Sequence, residues 1–153
     1  MLTLGSWRGI GLPRGRALTY SALSGALLAV QFLSWIPSLF LTTVAASTTL
    51  VNVHPVPMLL LSRRVGERVG GATVAGVLLA VLGSINITFS PGGLLGDLLT
   101  LIGAASFAGY MALGRVVRAS VGTLGYAAVA YGAAALISLI VGLSLGSDIA
   151  YDA

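Results

Sequence analysis

Five apolar stretches, at residues 17–39, 44–61, 73–89, 98–113 and 124–145, run the length of the chain. A helix needs about 20 predominantly apolar residues to cross the hydrocarbon core of a bilayer, and each stretch is close to that length. The connections at 40–43, 62–72, 90–97 and 114–123 are short, and Ser90-Pro91-Gly92-Gly93 is a strong turn signal. The pattern predicts an all-α fold, a polytopic integral membrane bundle of five transmembrane helices over residues 17–146. A cytoplasmic leader at 1–16 precedes it and an external tail at 147–153 follows.

Polar residues inside these stretches are the candidate chemistry, because an unpaired polar group is costly in hydrocarbon. In the first stretch Tyr20, Ser24, Gln31, Ser34 and Ser38 fall at helical spacing on one face, with Trp35 alongside. Pro37 removes a backbone donor near the end and predicts a bend. This face is either the wall of a solute cavity or an interhelical hydrogen-bond seam.

The second stretch carries Asn52, His54, Pro55 and Pro57 near its middle. On a regular helix Asn52 and His54 lie about 200° apart. Asn52 then shares a face with Thr48 and Thr49, and His54 with Ser47 and Met58. Pro55 and Pro57 cannot donate to the carbonyls of Val51 and Val53, so a kinked or unwound segment is expected. Such a distortion would turn Asn52 and His54 toward one cavity; a regular helix would leave one of them packed. His54 admits a proton-coupling role, since an unperturbed imidazole titrates near pH 6.5. No acid lies at comparable depth in the sequence, which favours a neutral His bonded to a neighbouring helix.

The remaining stretches are plainer. Thr100, Gly103, Phe107 and Tyr110 share a face, Tyr131 and Ser138 align, and Asn86 follows Gly76, Leu79 and Gly83. Asn86-Ile87-Thr88 matches a glycosylation pattern but sits too near a membrane edge for modification. Small residues recur four apart at Ser21/Gly25, Ala104/Ala108, Ala105/Gly109, Ala128/Gly132 and Gly142/Gly146, a spacing that lets helix backbones approach closely.

Composition narrows the class. Hydrophobic residues make up 57% of the chain and charged residues 8%, against about 25% charged in soluble domains; mean hydropathy is +1.02. Cysteine is absent, which removes disulfides, zinc thiolates and thiol nucleophiles. No phosphate loop or nucleophile elbow occurs, and one His with four acids makes a metal site improbable. No catalytic residue, metal or cofactor is therefore expected, and an enzyme is not.

The eight basic residues, all Arg, sort by side. Arg8, Arg14 and Arg16 precede the first stretch, Arg63, Arg64 and Arg68 follow the second, and Arg115 and Arg118 follow the fourth. The other extramembrane segments hold Asp97, Asp148 and Asp152 instead. The positive-inside rule then predicts a cytoplasmic N-terminus and an external C-terminus in a multi-pass cell-membrane protein. Arg63, Arg64, Glu67, Arg68, Arg115 and Arg118 are its cytoplasmic-side determinants, with Glu67 an ion-pair residue among arginines. The arginines serve topology rather than nucleic acid, and the lipid bilayer is the expected partner.

The run Val44-Ala45-Ala46-Ser47-Thr48-Thr49-Leu50-Val51-Asn52-Val53-His54-Pro55, then Gly66-Glu67-Arg68, then Gly76 to Gly83, resembles the EamA-like domain of the drug/metabolite transporter superfamily. Gly96-Asp97-Leu98-Leu99 through Ala104, Phe107, Ala108 and Arg115 resembles the opening of that family's second repeat. The resemblance covers most of the chain from about Ala17. It implies ten helices in two inverted halves that move small metabolites by alternating access, and this chain looks like helices three to seven. It implies a permease for a small organic solute, with Gln31, Ser34, Trp35, Thr48, Thr49, Asn52, His54 and Tyr110 along the pathway. Pro37, Pro55 and Pro57 would supply helix bends. A second chain or a second copy would supply the missing helices; a non-transporting membrane interaction protein or truncated remnant is the alternative.

Overall fold

The computed structural model describes residues 11–64, 70–88 and 93–144, without the side chains of 62–64 and 84–88. Among the described residues every regular element is a helix: α1 (Arg16–Leu41), α2 (Val44–Val51), α3 (Pro55–Arg64), α4 (Gly71–Thr88), α5 (Leu94–Val121) and α6 (Thr123–Ser144). The first, third and fifth apolar stretches match α1, α4 and α6 to within two residues at each end. Pro37 sits inside α1 without ending it.

One expectation takes a definite form and one changes. The second stretch is broken where its prolines predict, into two helices, α2 and α3, separated at residues 52–54. The fourth stretch is longer than its apolar part: α5 starts at Leu94 and runs through 114–121, which the sequence pattern assigns to a loop. Hydropathy falls at Arg115, yet Arg, Val and Ala are acceptable helix formers, and nothing there breaks the backbone. The helix ends at Gly122, whose φ of 82° is a left-handed conformation suited to glycine. At about 1.5 Å per residue the 28 residues of α5 outreach a hydrocarbon core of about 30 Å.

Helix α1 is the central element, and its two main neighbours, α5 and α6, run in opposite directions along it. Against α5 it is antiparallel: Thr42 rests on Gly93 and Gly96, Ser38 meets Thr100, Ser34 and Gln31 lie over Gly103, and Ser24 reaches the Tyr110 carbonyl. Against α6 it is parallel: Ser24 meets Tyr126, Gly25 meets Ala130, and Leu28 packs with Ala134. The α2–α3 pair runs with α5, placing Ser47 at Thr100 and His54 at Phe107. Helix α4 lies against α2 and, to a smaller extent, α3.

These directions gather charge at one end of the bundle. Arg16 opens α1, while Arg115 and Arg118 lie near the close of α5, and α3 finishes at Arg64 toward the same end. Asp97, in the first turn of α5, belongs to the opposite end. The leader's Arg8, the link residues Glu67 and Arg68, and the tail residues Asp148 and Asp152 lie outside the described residues.

Polarity is inverted relative to a water-soluble fold. Ser21, Ser24, Gln31, Ser34, Ser38, Ser47 and Thr100 are buried, whereas Leu23, Phe32, Ile36, Leu79, Leu139 and Ile140 face outward. The runs Arg16–Leu41, Val44–Leu61, Leu94–Val121 and Thr123–Ser144 are long and apolar enough to cross a membrane, and Gly71–Gly83 is a shorter apolar helix. The four-residue pairs divide accordingly: Gly25, Ala104 and Ala108 are at helix contacts, while Ala105, Ala128 and Gly132 are exposed.

Candidate functional site

The break between α2 and α3 follows from local chemistry. Thr43 starts α2 as its N-cap, with Oγ1 accepting from the Ala46 N–H at 3.1 Å. Pro55 and Pro57 bring no N–H to the next turn, so the regular ladder cannot continue past Val51. The chain passes through 52–54 on tighter bonds: Val53 N to Leu50 O at 3.0 Å, His54 N to Val51 O at 3.4 Å and Val56 N to Val53 O at 2.9 Å. The His54 Nδ1 lies 3.2 Å from the Val51 carbonyl oxygen. A carbonyl only accepts, so Nδ1 carries the proton, and in the neutral ring Nε2 is left as an acceptor. His54 thus serves a carbonyl that Pro55 cannot reach.

Asn52 and His54 do not converge. Asn52 is exposed and its Nδ2 donates back to the Thr48 carbonyl at 2.6 Å. Thr48 and Thr49 likewise return their hydroxyls to α2, at 2.7 Å to Val44 O and 2.6 Å to Ala45 O. His54 turns toward α5, with its ring edge-to-face on Phe107 at 5.0 Å. The distortion satisfies its own backbone with the nearest side chains, and this separates the two polar groups.

Phe107 begins an aromatic row on α5. It stacks on Tyr110 at 5.7 Å, and Tyr110 lies 6.1 Å from Tyr126 and 6.4 Å from Tyr131 on α6. The row ends with the Arg118 guanidinium 5.8 Å above the Tyr126 ring. Tyr110 therefore sits on the predicted face with Thr100, Gly103 and Phe107, and links the broken helix to α6.

The polar stripe of α1 splits into three uses. Ser38 joins Ser47 at 2.7 Å and Thr100 at 2.9 Å, and donates to Trp35 O at 2.5 Å, a wholly buried hydroxyl knot tying α1, α2 and α5. Ser24 donates to the Tyr110 carbonyl at 3.1 Å and meets the Tyr126 hydroxyl, tying α1, α5 and α6. Ser34 turns back to Val30 O at 2.7 Å. These are interhelical seams for Ser24 and Ser38, one of the two alternatives the spacing left open. Gln31 and Trp35 differ: Gln31 is 6% exposed, yet its Oε1, like the buried Trp35 Nε1, has no hydrogen-bond partner.

Tyr126 carries no sequence signal that would single it out, since it follows a one-residue connection and lies outside every polar stripe. Its role depends on α5 extending far enough for Gly114 to receive the ring. The side chains of Arg63 and Arg64, and residues Glu67 and Arg68, lie outside the described part. Compared with models of known protein families, with curated proteins and with solved structures, the chain matches none of them.

Proposed function

We propose that this chain is a multi-pass membrane protein of the drug/metabolite transporter type, a permease that moves a small organic solute by alternating access. The observation that carries the reading is the break in the second apolar run, halfway along the bundle and packed on the aromatic row of α5. Non-helical backbone at such depth is tolerated where protein or a water-filled path surrounds it, and broken helices of this kind form substrate sites in transporters. The inverted polarity supports a lipid surround, because outward Leu, Ile and Phe side chains are stable against lipid and costly against water. The gathering of Arg16, Arg115 and Arg118 at one end supports a cytoplasmic N-terminus and an external C-terminus by the positive-inside rule.

Topology is tested with a reporter enzyme active only outside the cytoplasm, fused in each connection and at the C-terminus. Activity is expected after Thr43, Gly93 and Ala153, and none after Arg68 or Gly122. A silent C-terminal fusion would sink the five-span arrangement.

Transport is tested in proteoliposomes with a panel of radiolabelled amino acids, sugars and amides. His54→Ala strips the Val51 carbonyl of its side-chain partner, and losing a part-buried hydrogen bond of this kind lowers a rate by up to about tenfold. We expect that loss in initial uptake for His54→Ala, and less than a twofold change (about 0.4 kcal/mol at most) for Asn52→Ala, whose side chain points away. Equal uptake by wild type and His54→Ala would remove the broken helix from the pathway.

A membrane interaction protein is the competing reading. The outward leucines of α6, Leu136, Leu139 and Leu143, are an apolar helix side that suits a second chain as well as lipid. Absence of uptake for every solute in the panel would favour it.

A further inference from the structure

Gln31 and Trp35 are one helical turn apart on α1, and both are held against α5 by the close approach at Gly103. A Cβ added at Gly103 would lie 3.3 Å from the Gln31 carbonyl oxygen and 3.5 Å from the Trp35 Cβ. Their side chains end in an acceptor, Gln31 Oε1, and a donor, Trp35 Nε1, each buried and each without a partner. They do not bond each other. The hydroxyls beside them are satisfied, Ser34 by Val30 O and Ser38 by Trp35 O, while two further buried atoms without a partner, Thr42 Oγ1 and Asp97 Oδ1, lie at the far end of the same α1–α5 contact. A buried polar group left unpaired is costly, and in a native protein it calls for a missing partner.

We propose that Gln31 Oε1 and Trp35 Nε1 are the polar end of a binding site for an uncharged carboxamide on a flat, apolar body. The amide supplies what the pair lacks. Its N–H donates to Gln31 Oε1, and its carbonyl accepts from Trp35 Nε1–H. With Gln31 presenting Oε1, a carboxylate, which offers acceptors alone, leaves that atom unmet, and an ammonium, which offers donors alone, leaves the indole N–H unmet; the Gln31 amide also carries N–H donors, so charge decides between an amide and a carboxylate. Charge also argues against an ion. The described charged side chains, Arg14, Arg16, Asp97, Arg115 and Arg118, lie toward the ends of the helices, so an ion at Gln31 would lose its hydration without a counter-charge.

The flat body follows from the walls. Gly103 is one turn from Phe107, which packs against the cluster of Leu28, Ala29 and Ala134 on one side and the His54 ring on the other. Phe107 and Tyr110 are stacked with planes 24° apart, and a planar body is the shape that packs with such rings. The two orphan atoms are closed from solvent in this conformation. The assignment rests on the transport reading in this respect: movement at the α2–α3 break, which carries His54 against Phe107, is what opens the site.

The test is equilibrium dialysis of radiolabelled benzamide, benzoate and benzylammonium against the purified full chain in lipid nanodiscs, with empty nanodiscs as the partition control. Saturable binding of benzamide, with benzoate and benzylammonium at the empty-disc level, is the expected result. Gln31→Leu and Trp35→Phe each remove one hydrogen bond while keeping the apolar bulk, and each is expected to weaken benzamide binding about tenfold. Circular dichroism and gel filtration identical to wild type would exclude loss of folding; should Gln31→Leu fail to fold, Trp35→Phe alone carries the test. Benzamide binding that does not saturate, wild-type affinity in a folded variant, or a preference for benzoate would each overturn the assignment. Binding is read without flux, so saturable binding in a chain that moves no solute overturns transport and supports the site.

Discussion

Replacing Gly25 with Ala is expected to lower stability by about 1–3 kcal/mol, the usual range for forcing an extra carbon into a packed seam. A Cβ at Gly25 would run into the Ala130 carbonyl oxygen and come within 2.8 Å of the Ala133 Cβ. The first obstacle is backbone, which cannot rotate aside, so α1 and α6 must separate along their length. Gly132→Ala is the matched control, because nothing lies within 4 Å of a Cβ there. Both changes remove a helical glycine, which by itself favours the helix by up to about 1 kcal/mol. The two variants should therefore move in opposite directions in an SDS titration of the detergent-solubilised protein. If Gly25→Ala unfolds at or above the wild-type midpoint, the parallel α1–α6 contact is wrong.

Tyr126→Ala is expected to cost more, about 3–5 kcal/mol, as for other buried aromatic truncations. Tyr126 is 3% exposed and packs with Val117 and Ala130. Its hydroxyl donates to the Tyr110 carbonyl at 3.3 Å and meets Ser24, so the ring closes three helices at once. Gly114 is the seat of that ring, since a Cβ there would meet the phenol oxygen at 2.5 Å. Tyr126→Phe separates the contributions: it keeps the packing and loses the hydrogen bonds, and should cost only about 1 kcal/mol. The Arg118 contact adds little, because Arg118 is exposed and its charge is shared with water. Equal losses in the Ala and Phe variants would mean that the hydroxyl, not the ring, holds this junction. A negligible loss in both would mean that α6 is docked by Gly25 and Leu28 alone.

The same SDS titration offers a check on the broken helix. His54→Ala should affect the midpoint less than Tyr126→Ala, since His54 is only partly buried and its side chain bonds a single carbonyl. A large effect on uptake with a small effect on the midpoint is the combination expected of a residue placed for movement rather than for stability.

Much of the architecture was legible along the chain because a long apolar helix announces itself by length and hydropathy alone. The apolar stretches locate α1, α4 and α6 closely, and Pro55 and Pro57 locate the distortion in the second run. The end of α5 was not legible, because hydropathy reports what surrounds a helix and not whether the backbone continues; Arg115 marks a change of surroundings and Gly122 the end of the helix. The pairing of Asn52 with His54 was equally out of reach. It depended on how the broken backbone would satisfy Val51 and Thr48, and the nearest side chains did so locally.

What the sequence determined by itself is the all-helical class, the polar stripe of α1, the place of the break and the clustering of Arg at alternate ends of the apolar stretches. Each is a property of local spacing and composition. Tertiary structure alone decided which members of the stripe are seams and which are left unpaired. Ser24 and Ser38 found hydroxyls and carbonyls on α5, α2 and α6, whereas Gln31 Oε1 and Trp35 Nε1 found no partner. A hydrogen bond requires a partner within about 3 Å, and which partners lie that close is settled only when helices distant in sequence come together.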